Sequence, residues 1–351
     1  MEVVNSEYLI LNIALWFGLY AIVALSLNIE YGYAGIPNFG RALAVLIGGM
    51  AVGGIINRIL MHSLRITGGI IEASGRVKSV INELIAQDPA LGIFILLASL
   101  ILTAILGGIS GAIFITPSAK LSEDYLAITL LAISEVIFLT SYYNVDFIGG
   151  YYGVSIPDFL AFMPGKQRIF TFTLLTLLIA FGCYLFTEKL LNSPYGRALR
   201  AMRENEVVAK AYGKNIMALR IKTVAIGSSM ASLAGALYSL YSVNVITTSF
   251  SRVEWTFYPI LMVLLGGAGN NTGVLLGAFV FVTIKILLIT YKFEITSTLR
   301  LPFEAVWLEY ISFGIIMLLI LIYRPEGILK EKPILTKPIR KVAKIKIIEQ
   351  T

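Results

Sequence analysis

The run "FYPILMVLLGGAGNNTGVLLGAFVFVTIKILLITY", residues 257–291, decides how the rest of the chain must be read. As one helix it would extend about 52 Å at 1.5 Å per residue. A hydrocarbon core is only about 30 Å thick. The run is also interrupted by "GGAGNNTG", 266–273, whose glycines and asparagines favour a turn over a helix. The pattern predicts a short half, 257–268, and a full half, 272–291. Irregular backbone at membrane depth has to be buried in protein or line a cavity. Gly266, Gly267 and Gly269 therefore mark a break near something functional.

The chain around this run is built for lipid. Of its 351 residues, 57% are hydrophobic and 14% charged, against about 25% charged in soluble domains. Mean hydropathy is +0.83. Further apolar runs lie at about 8–29, 36–57, 90–115, 124–143, 169–191, 222–246 and 305–323. The predicted fold class is all-α: a polytopic helical membrane protein with about 8–10 transmembrane segments, some broken or re-entrant. A barrel would need short alternating segments, which the sequence lacks. The opening "MEVVNSE" carries Glu2 and Glu7 where a signal peptide has basic residues, and the apolar run after it is too long for one. It reads as the first retained segment.

The net charge of +7 is unevenly placed. One group holds Lys189, Arg197, Arg200, Arg203, Lys210, Lys214, Arg220 and Lys222. Another holds Arg324, Lys330, Lys332, Lys337, Arg340, Lys341, Lys344 and Lys346. Together they are more than half of the 28 Lys and Arg. Loops 116–123, 247–256 and 292–304 carry few. The basic bias of short loops places 192–222 and the tail 324–351 in the cytoplasm. The chain must then cross an even number of times between Lys222 and Arg324. Three unbroken runs would violate that parity. The break at 266–273, turning near the cytoplasm, restores it. Residues 1–323 read as a single transmembrane domain, followed by a basic tail, 324–351.

A second break, "LNIEYGYAGIPNFGRAL", 27–43, holds Glu30, Gly32, Gly35, Pro37, Gly40 and Arg41. The run 36–57 after it fits either a full crossing or a dip and return. In 58–89, Val77, Val80, Ile81, Leu84 and Ile85 share a helical face, which suits an interfacial amphipathic helix or an ordinary surface helix.

Enzyme chemistry finds no foothold. The one cysteine, Cys183, and the one histidine, His62, allow neither an intrachain disulfide nor a Cys/His metal cluster. No phosphate loop, H-E-x-x-H helix or nucleophile elbow is present. No catalytic, cofactor-binding or metal residue is assigned. The basic tail beside the last apolar run suits anionic lipid, not nucleic acid. Ionisable residues inside apolar runs are costly and informative. Glu135, Lys285 and Glu309 lie in such runs, and Glu30 and Arg41 flank the second break, where they can pair. Each reads either as a path residue or as interhelical pairing or snorkelling, and for Lys285 and Glu309 a polar boundary is within reach.

The most polar interior stretch is "SPYGRALRAMRENEVVAKAYGKN", 193–215. Asn192 or Ser193 can cap a helix, Pro194 suits its first position, and Gly213 suits its end. Ala198, Ala201, Met202, Val208, Ala209 and Tyr212 cluster on one side. Arg197, Arg200, Arg203, Glu204 and Lys210 dominate the other. One or two short amphipathic helices on the cytoplasmic surface follow, either docking a partner or lying at the bilayer boundary.

This stretch resembles the signature region of permease subunits of branched-chain amino-acid ABC importers. There a Gly-Arg-Ala-x-Arg-Ala-x-Arg-Glu-Asn-Glu run opens the cytoplasmic coupling helix. Every fixed residue is present from Gly196 to Glu206. "LSLNIEYGYAGIPNFG", "LSEDYLAITLLAISEVI", "FIGGYYGVSIP", "LMVLLGGAGNNTGVLLGA" and "LLILIYRPEGIL" resemble further family motifs in the same order. Segment order and the Arg-Pro-Glu-Gly ending favour the subunit type called M over its partner type H. Two departures stand out: Arg41 replaces the usual His, and 58–89 is longer than usual.

The resemblance implies a type II ABC importer-like fold in the plasma membrane. It implies a second permease subunit, two cytoplasmic ATPase subunits that use the ATP, and an extracytoplasmic amino-acid-binding protein. Branched-chain or related amino acids would cross by ATP-driven alternating access. It places ATPase docking on the coupling helix, 194–213, through Gly196, Arg197, Arg200, Arg203, Glu204, Glu206, Ala209 and Gly213. Candidates for the path are Glu30, Gly35, Arg41, Glu135, Gly266, Gly267 and Gly269. The rival expectation is a stand-alone ion-coupled carrier or channel for a small polar solute, using the intramembrane Glu and Lys directly.

Overall fold

A computed structural model describes residues 6–163, 165–299 and 305–331, most of them helical. Helix α1, Ser6–Leu27, runs on through a π-helical turn at Asn28–Tyr33. After a seven-residue break, α2 (Arg41–Met50), a π turn (Ala51–Ile56) and α3 (Asn57–Ser63) form one rod. Then follow α4 (Ile70–Gln87), α5 (Pro89–Ile115), α6 (Glu123–Tyr143) and the single turn α7 (Val145–Ile148). Strand β1 (Val154–Ser155) precedes α8 (Gly165–Leu191). The polar stretch forms α9 (Pro194–Glu204) and α10 (Glu206–Ala211), and α11 is Ile216–Ser242. Strand β2 (Asn244–Val245) pairs antiparallel with β1. A π turn at Val253–Phe257 leads into α12 (Tyr258–Gly266), followed by α13 (Asn271–Leu299) and α14 (Ala305–Tyr323).

Among the described residues seven helices are long and apolar enough to cross a membrane. Helices α12 and α14 add a half-helix and a further apolar helix. The all-α polytopic class and the broken run at 257–291 are as the sequence predicts. The run 36–57 is resolved in favour of a full-length rod, Arg41–Ser63.

The core is organised by α1 and α11. Every residue from Gly18 to Leu27 is buried, as expected for a helix apolar on all sides. Helix α11 instead buries small residues, Gly227, Ala231, Ala234 and Gly235, which let neighbours approach closely. Ser232 Oγ donates to the Thr103 carbonyl at 3.0 Å and Ser229 Oγ to that of Ala104 at 2.7 Å, fastening α11 to α5. The opposite stripe of α5, including Phe94, Ile101 and Ile113, is exposed as a lipid-facing side should be.

The bundle has two distinct ends. At one, called the base here, lie α9, α10, the 267–270 turn and residues 324–331. The loop 116–122 joins them, because Arg220 donates to the carbonyls of Ala119 (3.0 Å) and Leu121 (2.7 Å). Its poverty in basic residues does not separate it from the basic 192–222 region. At the other end, the roof, lie α4 and the β1–β2 ribbon. Helix α4 departs from expectation. Ala73, Val77, Ile81 and Ile85 are buried, whereas Val80 and Leu84 are exposed. The helix rests on protein. Ser74 Oγ accepts from the Ser155 N–H and Asn82 Oδ1 from the Asp158 N–H. These contacts set which stripe turns inward. The tail beyond Glu331, including Lys332 to Lys346, lies outside the described residues.

Candidate functional site

Helix α9 starts where the sequence predicts. Ser193 Oγ accepts from the Tyr195 N–H at 3.1 Å, and Pro194 occupies the first turn. Asn205 ends α9 and caps α10, its Oδ1 accepting from the Val208 N–H at 3.0 Å. Gly213 follows with φ +76°. The pair of helices is held by a buried stripe of Gly196, Leu199, Met202 and Ala209. Ala201, Val208 and Tyr212, expected on that inner side, are exposed instead. The kink at Asn205 resets the helical phase, so positions before and after it do not share one face.

The polar residues divide into two sets. Arg197, Glu204 and Lys210 face outward, joined by Val207, Val208 and Tyr212. Arg200 and Arg203 turn inward. The Arg203 Nη1 donates to the Gly32 carbonyl, and its Nη2 donates to Glu331 Oε2 at 2.7 Å. Arg200 lies over the Tyr33 ring at 4.9 Å, with Glu331 Oε1 at 3.7 Å from its Nε. Glu206 pairs with Arg220, which holds the 116–122 loop. Arg200, Arg203 and Glu206, grouped by sequence with the docking residues, therefore have partners within the chain. Nearby, Tyr195 Oη lies 2.8 Å from Thr223 Oγ1, and burial pushes its phenol above the ordinary value.

The inward arginines reach both backbone breaks at once. The π turn 28–33 and the 267–270 turn are in direct contact. Asn28 Oδ1 accepts from the Gly269 N–H at 2.9 Å, and Asn28 Nδ2 donates to Asn271 Oδ1 at 2.9 Å. Asn271 Nδ2 continues to Glu188 Oε1 on α8 at 2.9 Å. Gly267 (φ +110°) and Gly269 (φ +80°) adopt conformations that a side chain would strain. The 324–331 segment closes the same spot. The Ile328 N–H donates to the Leu265 carbonyl at 2.8 Å, and the Leu329 N–H to that of Gly266 at 3.0 Å. Gly35 lies against the Arg203 side chain. Gly35, Gly266, Gly267 and Gly269 thus meet at the base, under α9.

Deeper in the bundle, Glu30 and Arg41 form an ion pair with both side chains fully buried. Asn38 Nδ2 donates to Glu30 Oε2 at 2.8 Å. Gly227 on α11 provides the space, since a Cβ there would overlap Glu30 Oε1. Buried pairs add little net stability, but losing one partner strands the other charge.

Two further charged groups stand apart. Glu135 on α6 pairs with Arg252 at 3.0 Å. Lys285, expected near a polar boundary, is buried where α1, α12, α13 and α14 meet. Its Nζ donates to Glu254 Oε1 at 2.6 Å and Tyr20 Oη at 2.9 Å, and lies 3.9 Å from Glu309 Oε1. The rings of Trp16, Tyr20 and Tyr258 surround it at 5.3, 5.2 and 4.7 Å. This is interhelical pairing, not snorkelling. No group of three or more His, Cys, Asp or Glu able to hold a metal ion occurs among the described residues.

Sequence reading missed Asn28, Glu188, Arg252, Asn271 and Glu331. The asparagines lay inside both recognised breaks, and their short polar side chains at glycine-rich turns were the available signal.

The family model for the branched-chain amino acid transport system / permease component matches residues 9–321. The chain is 59% identical over 333 residues to the probable branched-chain amino acid transport permease protein LivM of Methanocaldococcus jannaschii, covering 95% of this chain and 96% of that one. It is 27% identical to the high-affinity permease protein LivM of Escherichia coli, over 61% of this chain and 52% of the relative. It is 25% identical to LivH of the same organism, over 88% and 91%. No solved structure matches.

Proposed function

The chain belongs to the branched-chain amino acid transport system permease family, and we propose that it is the M-type permease subunit of an ABC importer for branched-chain or related amino acids. It is a multi-pass membrane protein of the transport-permease kind. In this reading the base is cytoplasmic. The outward set of Arg197, Glu204, Val207, Val208 and Tyr212 docks an ATPase subunit. A second, H-type permease completes the membrane unit, and a separate binding protein delivers the amino acid at the roof.

The observation that carries the reading is the two-sided character of α9. One side is exposed and mixes charge with large apolar side chains. The other side is bonded to both backbone breaks through Arg203. A push on the outer side therefore reaches the π turn 28–33 directly and the 267–270 turn through Glu331, whose carboxylate lies against Gly269. Helices that end inside the bundle are suited to tilt as units, which alternating access requires. ATP shifts such an equilibrium only to the extent that it favours one of the two states.

The test is purification of the chain from its native membrane with whatever it binds. An ATPase should accompany it and be lost in the Arg197→Glu, Glu204→Arg double variant. Uptake that persists with every ATPase removed would overturn the importer reading in favour of a stand-alone carrier.

A further inference from the structure

Glu135 and Arg252 make an ion pair in an unusual place. Helix α6 has 21 residues, so its length matches the hydrocarbon core. Glu135 stands twelve residues from its base end and eight from its roof end, roughly 12 Å or more inside either boundary. Arg252 precedes the π turn that opens the α12 half-helix. That half-helix starts inside the bundle, where Thr256 Oγ1 accepts from the Ala42 N–H at the start of α2. The pair is thus far from both ends of the bundle.

Yet it is open. The Glu135 and Arg252 side chains are 31% and 39% exposed, whereas the Glu30–Arg41 pair is completely enclosed. A charged pair exposed at this depth is costly against lipid. The face that carries it therefore borders water or another protein. Val253, next to Arg252 in the chain, and Phe257, one turn further on, are exposed apolar side chains. The bare lipid-facing stripe of α5 carries no charge at this depth. A face that offers one guanidinium, one carboxylate and neighbouring apolar side chains matches an apolar zwitterion group by group.

We propose that Glu135 and Arg252 form a zwitterion-binding site on the translocation path. Arg252 takes the carboxylate and Glu135 the ammonium of a free α-amino acid, with Val253 and Phe257 against its side chain. This rests on the amino-acid importer reading. In the structure the two groups bond to each other at 3.0 Å. A passing zwitterion replaces each half of that pair with a charge of the same sign. The exchange offsets the desolvation that either ion alone would suffer. A guanidinium reads a planar carboxylate through two parallel hydrogen bonds, which an ammonium does not do.

The test uses the intact transporter in native membrane vesicles. Cys183 is the sole cysteine of this chain and is buried, so an introduced thiol can be followed on the chain once it is purified after labelling. Val253→Cys should react with a charged, membrane-impermeant thiosulfonate, and saturating leucine should block the reaction. Ile101→Cys, on the α5 stripe, should stay unlabelled. In uptake assays, Arg252→Gln should raise the leucine KM about tenfold or more, the loss expected for a charge-assisted hydrogen bond. In V253C labelling, leucinamide, which lacks the carboxylate, should protect far less well than leucine, and the two should protect alike once Arg252→Gln is added. A merely structural pair would lower transport without changing that difference. An unlabelled V253C in vesicles that still take up leucine would overturn the site and leave the importer reading intact. Labelling blocked by a different amino acid but not by leucine would keep the zwitterion site and overturn the branched-chain assignment. If Arg252→Gln fails to assemble, V253C labelling and its protection decide alone.

Discussion

Replacing Arg203 with Met separates the inner face of α9 from its outer face. The methionine keeps an apolar stem against Gly35 but removes both hydrogen-bonding nitrogens. One lost bond, to the Gly32 carbonyl, is charge-assisted and inside the bundle. Such a bond contributes about 1.5–3 kcal/mol. The other, to Glu331, is discounted because the two side chains are 26% and 30% exposed, and solvent screening brings such a pair to about 0–1 kcal/mol. A total near 2 kcal/mol corresponds to about a thirtyfold rise in the population in which α9 has left the break. Amide hydrogen exchange reads that opening directly. Exchange in 28–33 and 194–204 should quicken about thirtyfold, with α5 and α11 unchanged. Transport should fall while the ATPase still co-purifies. Unchanged exchange together with loss of the ATPase would refute the reasoning, because Arg203 would then be an outward docking residue.

Four further outcomes follow from the same geometry. Gly227→Ala should destabilise the chain by about 1–3 kcal/mol in denaturation assays, since its Cβ overlaps the Glu30 carboxylate. Gly182→Ala, with nothing near its Cβ, should be neutral or stabilise by up to about 1 kcal/mol in the same assay. Arg197→Glu with Glu204→Arg should leave thermal stability unchanged while releasing the ATPase, as measured by co-purification. Lys285→Met strands Glu254 and Glu309 together and should cost about 3–5 kcal/mol; adding Glu254→Gln should recover part of that loss in thermal melting.

The spanning helices and the break at 266–270 were legible because both signals are local. Apolar runs of the right length need no partner to be recognised, and a glycine cluster disrupts a helix wherever it falls. The facing of α9 and α10 was not legible. A polar residue reads as exposed unless its partner is known, and the partner of Arg203 lies 128 residues away at Glu331. Val207 and Tyr212 are the converse, large apolar groups that stay in the open at 79% and 82% exposure. Glu30 and Arg41 could be matched because eleven positions separate them across one break. Arg252 could not be matched to Glu135, since nothing in either sequence neighbourhood points to the other. Lys285 went astray for a further reason. Its cage is assembled from four helices, and no window of sequence contains it.

The roof is stitched across the chain close to its main chain, and none of its ties reaches α9. The β1–β2 ribbon joins Val154 to Val245, Asn57 donates to the Ser155 carbonyl at 2.9 Å, and Arg168 ties Asp158 to the Tyr241 carbonyl at 3.1 Å. Four parts of the sequence, around 57, 154–158, 168 and 241–245, are joined there, mostly through main-chain groups. At the base, the ties to α9 run through long arginine side chains. A bundle fastened in this manner behaves as a door hung on one side. On the proposed importer reading, a small stroke delivered to α9 would swing the half-helices most at the base while the roof keeps its shape.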